Sequence, residues 1–231
     1  MMETERLRSV HAKRAEEAAR RYGYWNPAPF FLVQRLERDV ADRLRRNGLL
    51  PLGERRVLEA GCGSGYWLRF ALRLGAQPHN LHGVDILPER VRDAYRLSPN
   101  FPLLIGDAAR LPYEDGYFDL VMQFTMFTSI LDDGLRRRAA AEMLRVLKPS
   151  GTVLWYDFIL NPGNPDTRGI RAREVRSLFP GCQVRIRRAT LAPPISRRLA
   201  PFSWLACYLL ELIPWLRTHY LATVTKTGGH P

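Results

Sequence analysis

The 231-residue sequence has little lysine: of its 35 basic residues only Lys13, Lys148 and Lys226 are lysines, the others being arginine. Against 23 acidic residues this leaves a formal charge of +12, with the arginines spread along the chain. A bias that strong reflects composition as much as phosphate recruitment, so a solvated basic surface is the preferred reading over a nucleic-acid groove. Cysteine is sparse as well. Cys62, Cys182 and Cys207 are odd in number and far apart, and no Cys-x-x-Cys pair or His/Cys cluster occurs. That leaves no zinc ligand set and implies a reducing, cytoplasmic setting, with no metal expected. Apolar runs are short. Residues 202–216 form a run of 15 that contains Glu211 and Pro214, whereas a bilayer span needs about 20. This run is expected to cap a pocket, to pair a homodimer in place of a monomer, or to rest peripherally on a membrane surface, in that order of preference. The opening residues, Met-Met-Glu-Thr-Glu-Arg, hold no apolar core of signal type, and the expectation is no export. Repeats and low-complexity tracts are absent, and one domain with terminal additions fits the length.

What is present is organised around Val57-Leu-Glu-Ala-Gly-Cys-Gly-Ser-Gly65. A short apolar strand runs into three glycines and then into a helical pattern with Leu68, Ala71 and Leu72. Glycines at a strand-to-helix turn let the backbone approach a ligand closely, because no Cβ intervenes. The unpaired N–H groups of the new helix favour polar or negative groups there. Asp85 ends the next apolar run, Leu81-His-Gly-Val-Asp-Ile86, where a nucleotide-type fold places a carboxylate for ribose hydroxyls. Together these features point to a nucleoside-binding βαβ unit. The spacing Gly-x-Gly-x-Gly, with Glu59 two residues before Gly61, opposes a nicotinamide cofactor and an oxidoreductase.

Glu-x-Gly-x-Gly-x-Gly resembles the signature of class I S-adenosylmethionine-dependent methyltransferases. The resemblance continues in Gly106-Asp-Ala-Ala-Arg-Leu-Pro112, Phe118-Asp-Leu-Val121 and Glu142-Met-Leu-Arg-Val-Leu-Lys-Pro-Ser-Gly-Thr152, and covers roughly residues 55–160. Alternating strand and helix signals by themselves imply a parallel α/β sheet. Strands are expected at 56–60, 81–86, 102–107, 118–124, 152–158, 183–191 and 219–226. Helices are expected at 30–46, after Gly65, from Pro88 to near Leu97, from Asp132 or Asp133 to Leu147, and at 174–179. The resemblance implies a Rossmann-like doubly wound sheet of about seven strands with helices on both faces, the last two strands forming an antiparallel edge. Residues 1–50 are expected to form an N-terminal helical cap or lid, and 51–231 the methyltransferase domain with a helical insertion around 192–217. Within the cap, 1–21 suggests a solvated helix, and the aromatic stretch 22–31, with Pro27 and Pro29, is read as irregular. Its aromatics Tyr24 and Trp25 either strap the cap to the sheet or close over the cofactor.

The resemblance also assigns residues. The loop Gly61, Cys62, Gly63 and Gly65 would pass under the methionine part of S-adenosylmethionine, with Glu59 holding its amino end. Asp85 would accept the ribose hydroxyls, Ile86 would pack on the adenine, and Asp107 would accept from the adenine amine beside Ala108. Gln123 and Phe124 would border the methyl group. Structural alternatives stand beside these: Asp107 could cap its own loop, Glu59 could pair with an arginine, and Cys62 reads as a small filler. Asp157 and His219 are the candidate general bases, although Asp157 could instead anchor a loop and His219 could be a satisfied structural histidine. The expected activity is O-methylation of a small molecule, glycan or lipid-linked acceptor, releasing S-adenosylhomocysteine. The alternatives are an RNA methyltransferase using the basic surface, and a non-catalytic partner subunit that binds the cofactor.

Overall fold

The computed structural model describes Arg6, residues 25–161, Asn164 and residues 166–228. The expected helix over 1–21 therefore falls outside the described residues apart from Arg6. Helix α1 (Pro27–Arg46) buries Phe31, Leu36, Val40 and Leu44, the apolar stripe of the sequence. Its start corrects the reading of 22–31 as irregular. Pro27 and Pro29 initiate the helix: they lie in the first turn, where N–H groups have no helical acceptor, and the Asn26 side chain accepts from the Ala28 amide at 3.2 Å.

The chain then alternates. Strand β1 (Val57–Ala60) and helix α2 (Tyr66–Arg73) are followed by β2 (Leu81–Asp85), α3 (Pro88–Leu97) and β3 (Leu103–Ile105). Next come β4 (Phe118–Phe124), α4 (Asp133–Val146) capped by Asp132, β5 (Leu147–Phe158) and α5 (Ala172–Leu178). The last elements are β6 (Cys182–Leu191), the short helices α6 (Pro193–Leu199) and α7 (Trp204–Glu211), and β7 (Arg217–Lys226). Strand β5 begins at Leu147 and not at the expected residue 152, running through Pro149 and Gly151, and its register on β4 shifts between Phe118 and Leu120 to take up the extra residues.

All seven strands form one sheet in the order β3-β2-β1-β4-β5-β7-β6. Pairs from β3 to β5 are parallel, and β7 runs antiparallel between β5 and β6. The order reverses between β1 and β4, so the carboxyl end of β1 opens into the crevice where such sheets bind ligands. Alternation along β5 sends Leu154 and Tyr156 to the face covered by α1 and α2, and Val153 and Trp155 to the face covered by α4 and α5. A third apolar cluster joins Ala28 and Phe31 of α1 to Leu191, Ala200 and Cys207, which seats the 192–216 segment on the N-terminal half of α1.

The basic surface also needs correction. Arg136 is 1% exposed, because α4 turns it to the same side as Ala139, Ala140 and Met143. Its guanidinium donates to the carbonyls of Ile130 at 2.7 Å and Arg168 at 3.1 Å and pairs with Glu174 at 2.7 Å. Arg187 pairs with Asp39 at 2.6 Å. Part of the arginine excess is therefore structural, Arg136 holding the loops after β4 and β5 and Arg187 tying β6 to α1.

Candidate active site

The loop after β1 is shaped by backbone geometry that L side chains resist. Gly61, Gly63 and Gly65 have φ values of 72°, 52° and 75°. The amides of Gly61 and Cys62 both donate to the Val84 carbonyl, at 2.8 and 3.1 Å. The Gly63 amide donates to Asp85 Oδ2 at 2.8 Å, and Oδ1 accepts from the Leu87 amide at 2.9 Å. One carboxylate at the end of β2 thus ties the glycine loop to the start of α3. A Cβ on Gly63 would meet only the end of the Arg90 side chain, Nη1 at an ordinary contact distance of 3.7 Å, whereas one on Gly61 would run into Met126 at 2.9 Å. The second glycine faces room for a ligand; the first is packed.

Electrostatics sharpen this picture. Glu59 is 2% exposed on β1, and its Oε2 has no hydrogen-bond partner. Burial, and then the nearby Asp85 charge, hold the Glu59 carboxyl well above the usual carboxylate range, partly offset by the Leu68 amide. An orphaned carboxylate oxygen beside a glycine cradle fits a ligand with a polar donor, such as the amino end of S-adenosylmethionine. Burial also raises Asp85, although its two backbone donors pull the other way. Cys62 is buried, and desolvation raises its thiol, so it serves as the small filler expected. It fills the space left by the missing side chain of Gly83, where a Cβ would come 2.9 Å from Cys62 Sγ.

At the end of β4 the two expected neighbours of the methyl group part company. The amide of Gln123 is used on backbone: Nε2 donates to the Tyr156 carbonyl at 3.2 Å, and Oε1 accepts from the Met126 amide at 3.0 Å. It holds the turn at Thr125, whose φ of 60° is rare for a β-branched residue. Phe124 faces the α1–α2 side and stacks on Trp67, with ring centroids 4.0 Å apart and planes at 11°. The row continues through Tyr156 at 5.9 Å, His219 at 5.0 Å from Tyr156, and Phe158 at 5.2 Å from His219. Trp67 and Met126 escaped the sequence reading. The one available signal was the Tyr66-Trp67 pair directly after Gly65.

The two candidate bases lie on opposite faces of the sheet and cannot act as a pair. Asp157 opposes Tyr220 and points to the α4–α5 side, fully buried, where Thr128 donates to it from both hydroxyl and amide. Burial pushes its carboxyl up to about 7 despite those donors. His219 opposes Phe158 and points to the α1 side, with Nδ1 at 3.1 Å from Thr218 Oγ1. Desolvation lowers it to about 4, so the ring is neutral near pH 7. Of the remaining residues, Ile86 is half-buried after Asp85, and Ala108 packs at the edge of the α4–α5 core. Asp107 is exposed, and its Oδ1 accepts from the Ala109 amide at 2.8 Å. Trp25 sits with Phe30, Phe202 and Trp204 around a groove of about 430 Å³, because α1 begins beside it and carries it to the 192–216 segment.

Comparison with known proteins agrees with this geometry. A family described as a methyltransferase domain matches residues 57–151. The 27-O-demethylrifamycin SV methyltransferase of Amycolatopsis mediterranei (strain S699) is 32% identical over 165 residues, covering 67% of this chain and 57% of that protein. The ajmaline N-methyltransferase of Rauvolfia serpentina is 29% identical over 131 residues, covering 54% and 43%. The chain thus spans about half the length of the curated relatives it matches. Among solved structures, a complex of the Haloferax volcanii Trm112 methyltransferase activator with its putative methyltransferase shares the fold, with a TM-score of 0.64 at 20% identity over 96% of this chain and 99% of that one. The glycine loop at the switch point, the Asp85 clasp and these likenesses lead to one conclusion: the chain belongs to the class I S-adenosylmethionine-dependent methyltransferase family.

Proposed function

We propose that this chain transfers a methyl group from S-adenosylmethionine to an oxygen of a small acceptor with an apolar body. A natural-product scaffold, glycan or lipid-linked intermediate would qualify. The observation that carries the reading is the aromatic row Trp67, Phe124, Tyr156, His219 and Phe158, which starts beside the glycine loop and includes no charged side chain. Phe124, Tyr156 and His219 are themselves buried under α1 and α2, so it is the half-buried Trp67, stacked on Phe124 beside the glycine loop, that gives the site an apolar wall suited to a flat or apolar acceptor. Two relatives carry names of enzymes that act on a rifamycin and on ajmaline, which supports a small acceptor while leaving the methylated atom to this chain's own residues.

The cofactor supplies an electrophilic methyl on a sulfonium, and the residues present fit it. Glu59 would hold the amino end through its unpaired Oε2, Gly63 would admit the chain of the methionine part, and Asp85 would accept the ribose hydroxyls. Ile86 would pack on the adenine and Asp107 would accept from its amine. Catalysis of an in-line displacement rests mainly on positioning. Gln123 and the Thr128–Asp157 pair fix the loop after β4 that carries Met126, so they act as positioning residues. His219, neutral and unable to hold a proton well, would accept a hydrogen bond from the acceptor hydroxyl. Arg6 donates to the Ser129 carbonyl at 2.5 Å and the Asp166 carbonyl at 3.3 Å, so this one residue helps hold the loops after β4 and β5.

Calorimetric titration with S-adenosylmethionine and NADH, followed by S-adenosylhomocysteine release from a panel of hydroxylated aromatic scaffolds and a structured RNA, tests the reading. Binding of the sulfonium cofactor alone, with turnover on a scaffold, is expected. Turnover only on RNA, with affinity falling steeply with salt, would overturn it in favour of the basic surface. Turnover only with an added partner would favour an assembly like that of the Haloferax neighbour.

A further inference from the structure

The 192–216 segment turns its apolar side outward. On α7 and the turn after it, Leu205, Leu209 and Leu212 recur at helical spacing and are 68%, 57% and 70% exposed. Phe202, just before the helix, is 87% exposed, and Trp215, after it, 76%. Trp25 continues the same surface across the groove lined by Phe202 and Trp204. Trp25, Phe202, Leu205, Leu209, Leu212 and Trp215 each keep more than half of their surface in solvent, and an exposed apolar strip of this length marks an interaction surface.

Charge decides what meets it. Between Cys182 and Arg217 the only acidic residue is Glu211, against six arginines. Glu211 is 3% exposed, with its carboxylate held by Arg35 at 2.6 Å. Arg217 Nε donates to the Glu211 carbonyl at 2.5 Å, and Arg188 Nη1 reaches the Pro214 carbonyl at 3.5 Å, so both guanidiniums lie against the turn that carries Trp215. Arg198 is exposed on α6. The strip is thus bordered by arginine with no solvent-facing carboxylate in the segment. A second copy is a poor occupant. A two-fold contact would set each arginine border near its own counterpart with no acid to pair. An anionic bilayer surface answers both features, taking leucine and aromatic side chains into the acyl boundary while its headgroups meet the arginines. Among the described residues no helix is long and apolar enough to cross a membrane.

We propose that this face, Phe202, Leu205, Leu209, Leu212 and Trp215 with Arg188, Arg198 and Arg217 at its border, docks peripherally on anionic lipid membranes. The full chain is sedimented with vesicles of phosphatidylglycerol mixed with phosphatidylcholine, and with phosphatidylcholine alone. Binding to the mixed vesicles at low salt is expected, weakening as salt rises. The triple variant Leu209→Gln/Leu212→Gln/Trp215→Gln should lose at least about tenfold in partition, and Arg198→Gln about fivefold on the anionic vesicles alone. A wild-type control needs no folded variant: brominated acyl chains should quench the tryptophan fluorescence. No sedimentation at low salt, no quenching, or wild-type binding by a folded triple variant would each overturn the proposal. So would a wild-type dimer in light scattering that the triple variant converts to monomer.

Discussion

Asp85→Asn is the sharpest perturbation available, because one carboxylate holds two backbone donors. Oδ2 accepts from Gly63 at 2.8 Å and Oδ1 from Leu87 at 2.9 Å. An amide side chain keeps one acceptor and turns an NH₂ toward the other N–H, which leaves that buried donor unsatisfied. Losing one charge-assisted bond costs about 1.5–3 kcal/mol. If Gly63 is the donor released, the loop geometry that the cofactor meets relaxes, and the Kd for S-adenosylmethionine should rise by roughly tenfold to a hundredfold. The melting temperature of the free protein should fall by several degrees. Asp85→Glu should not rescue, since the longer chain displaces both acceptors. The free-protein pH dependence has a definite sign. Burial raises the Asp85 pKa above 3.8, so its share of stability is full below that value and is lost as pH rises through the folded pKa. Cofactor affinity should run the other way, weakening on acidification as the acceptor is protonated. Calorimetry and a melt on the same samples suffice. Affinity within threefold of wild type, together with an unchanged melt, would refute the argument that Asp85 organises the loop.

Four further outcomes follow from the same geometry. Gly63→Val places a β-branched residue at φ 52° with its Cβ meeting only Arg90 Nη1, at 3.7 Å; strain of about 1–3 kcal/mol is expected, and calorimetry should show cofactor binding lost while circular dichroism still reports a folded protein. Asp157→Asn should flatten stability between pH 3.8 and about 7, since the buried carboxyl stabilises the fold when protonated and loses that contribution as pH rises; a retained kcat at neutral pH would agree with a positioning role, and its abolition with a base. His219→Gln should change the acid side in the opposite sense, because a histidine lowered from 6.5 to about 4 contributes stability above 6.5 that is lost as pH falls; melts across pH separate the two effects. Trp67→Ala removes the stack on Phe124 and should raise KM for an aromatic acceptor more than it lowers kcat, as measured by S-adenosylhomocysteine release.

Local information carried the parallel half of the protein. Strand, glycines, helix and terminal Asp85 follow one another within about thirty residues, and each is dictated by short-range chemistry: apolar runs, positive-φ positions, caps such as Asp132. The sequence alone therefore placed the glycine loop and Asp85 at the same end of neighbouring strands and implied the antiparallel edge through its resemblance. It misjudged 22–31 because two prolines read as breakers of a helix they in fact begin. What only the tertiary structure decided depends on strand parity and on partners far along the chain. A single-residue offset puts Asp157 among Thr128 and Trp155 and His219 beside Tyr156, on opposite faces, though the sequence offered them as equals. Gln123 had a free amide on paper; the Tyr156 carbonyl, 33 positions away, takes it up. Arg136 belonged, on sequence, to the spread basic surface read as solvated, until α4 turned it inward. Whether the 202–216 run faces inward or outward was likewise undetermined, because α7 buries only Cys207 and Glu211 against its neighbours and leaves Leu205 and Leu209 to the surface. Periodicity fixes which residues share a face, but the packing of distant elements decides which face is covered.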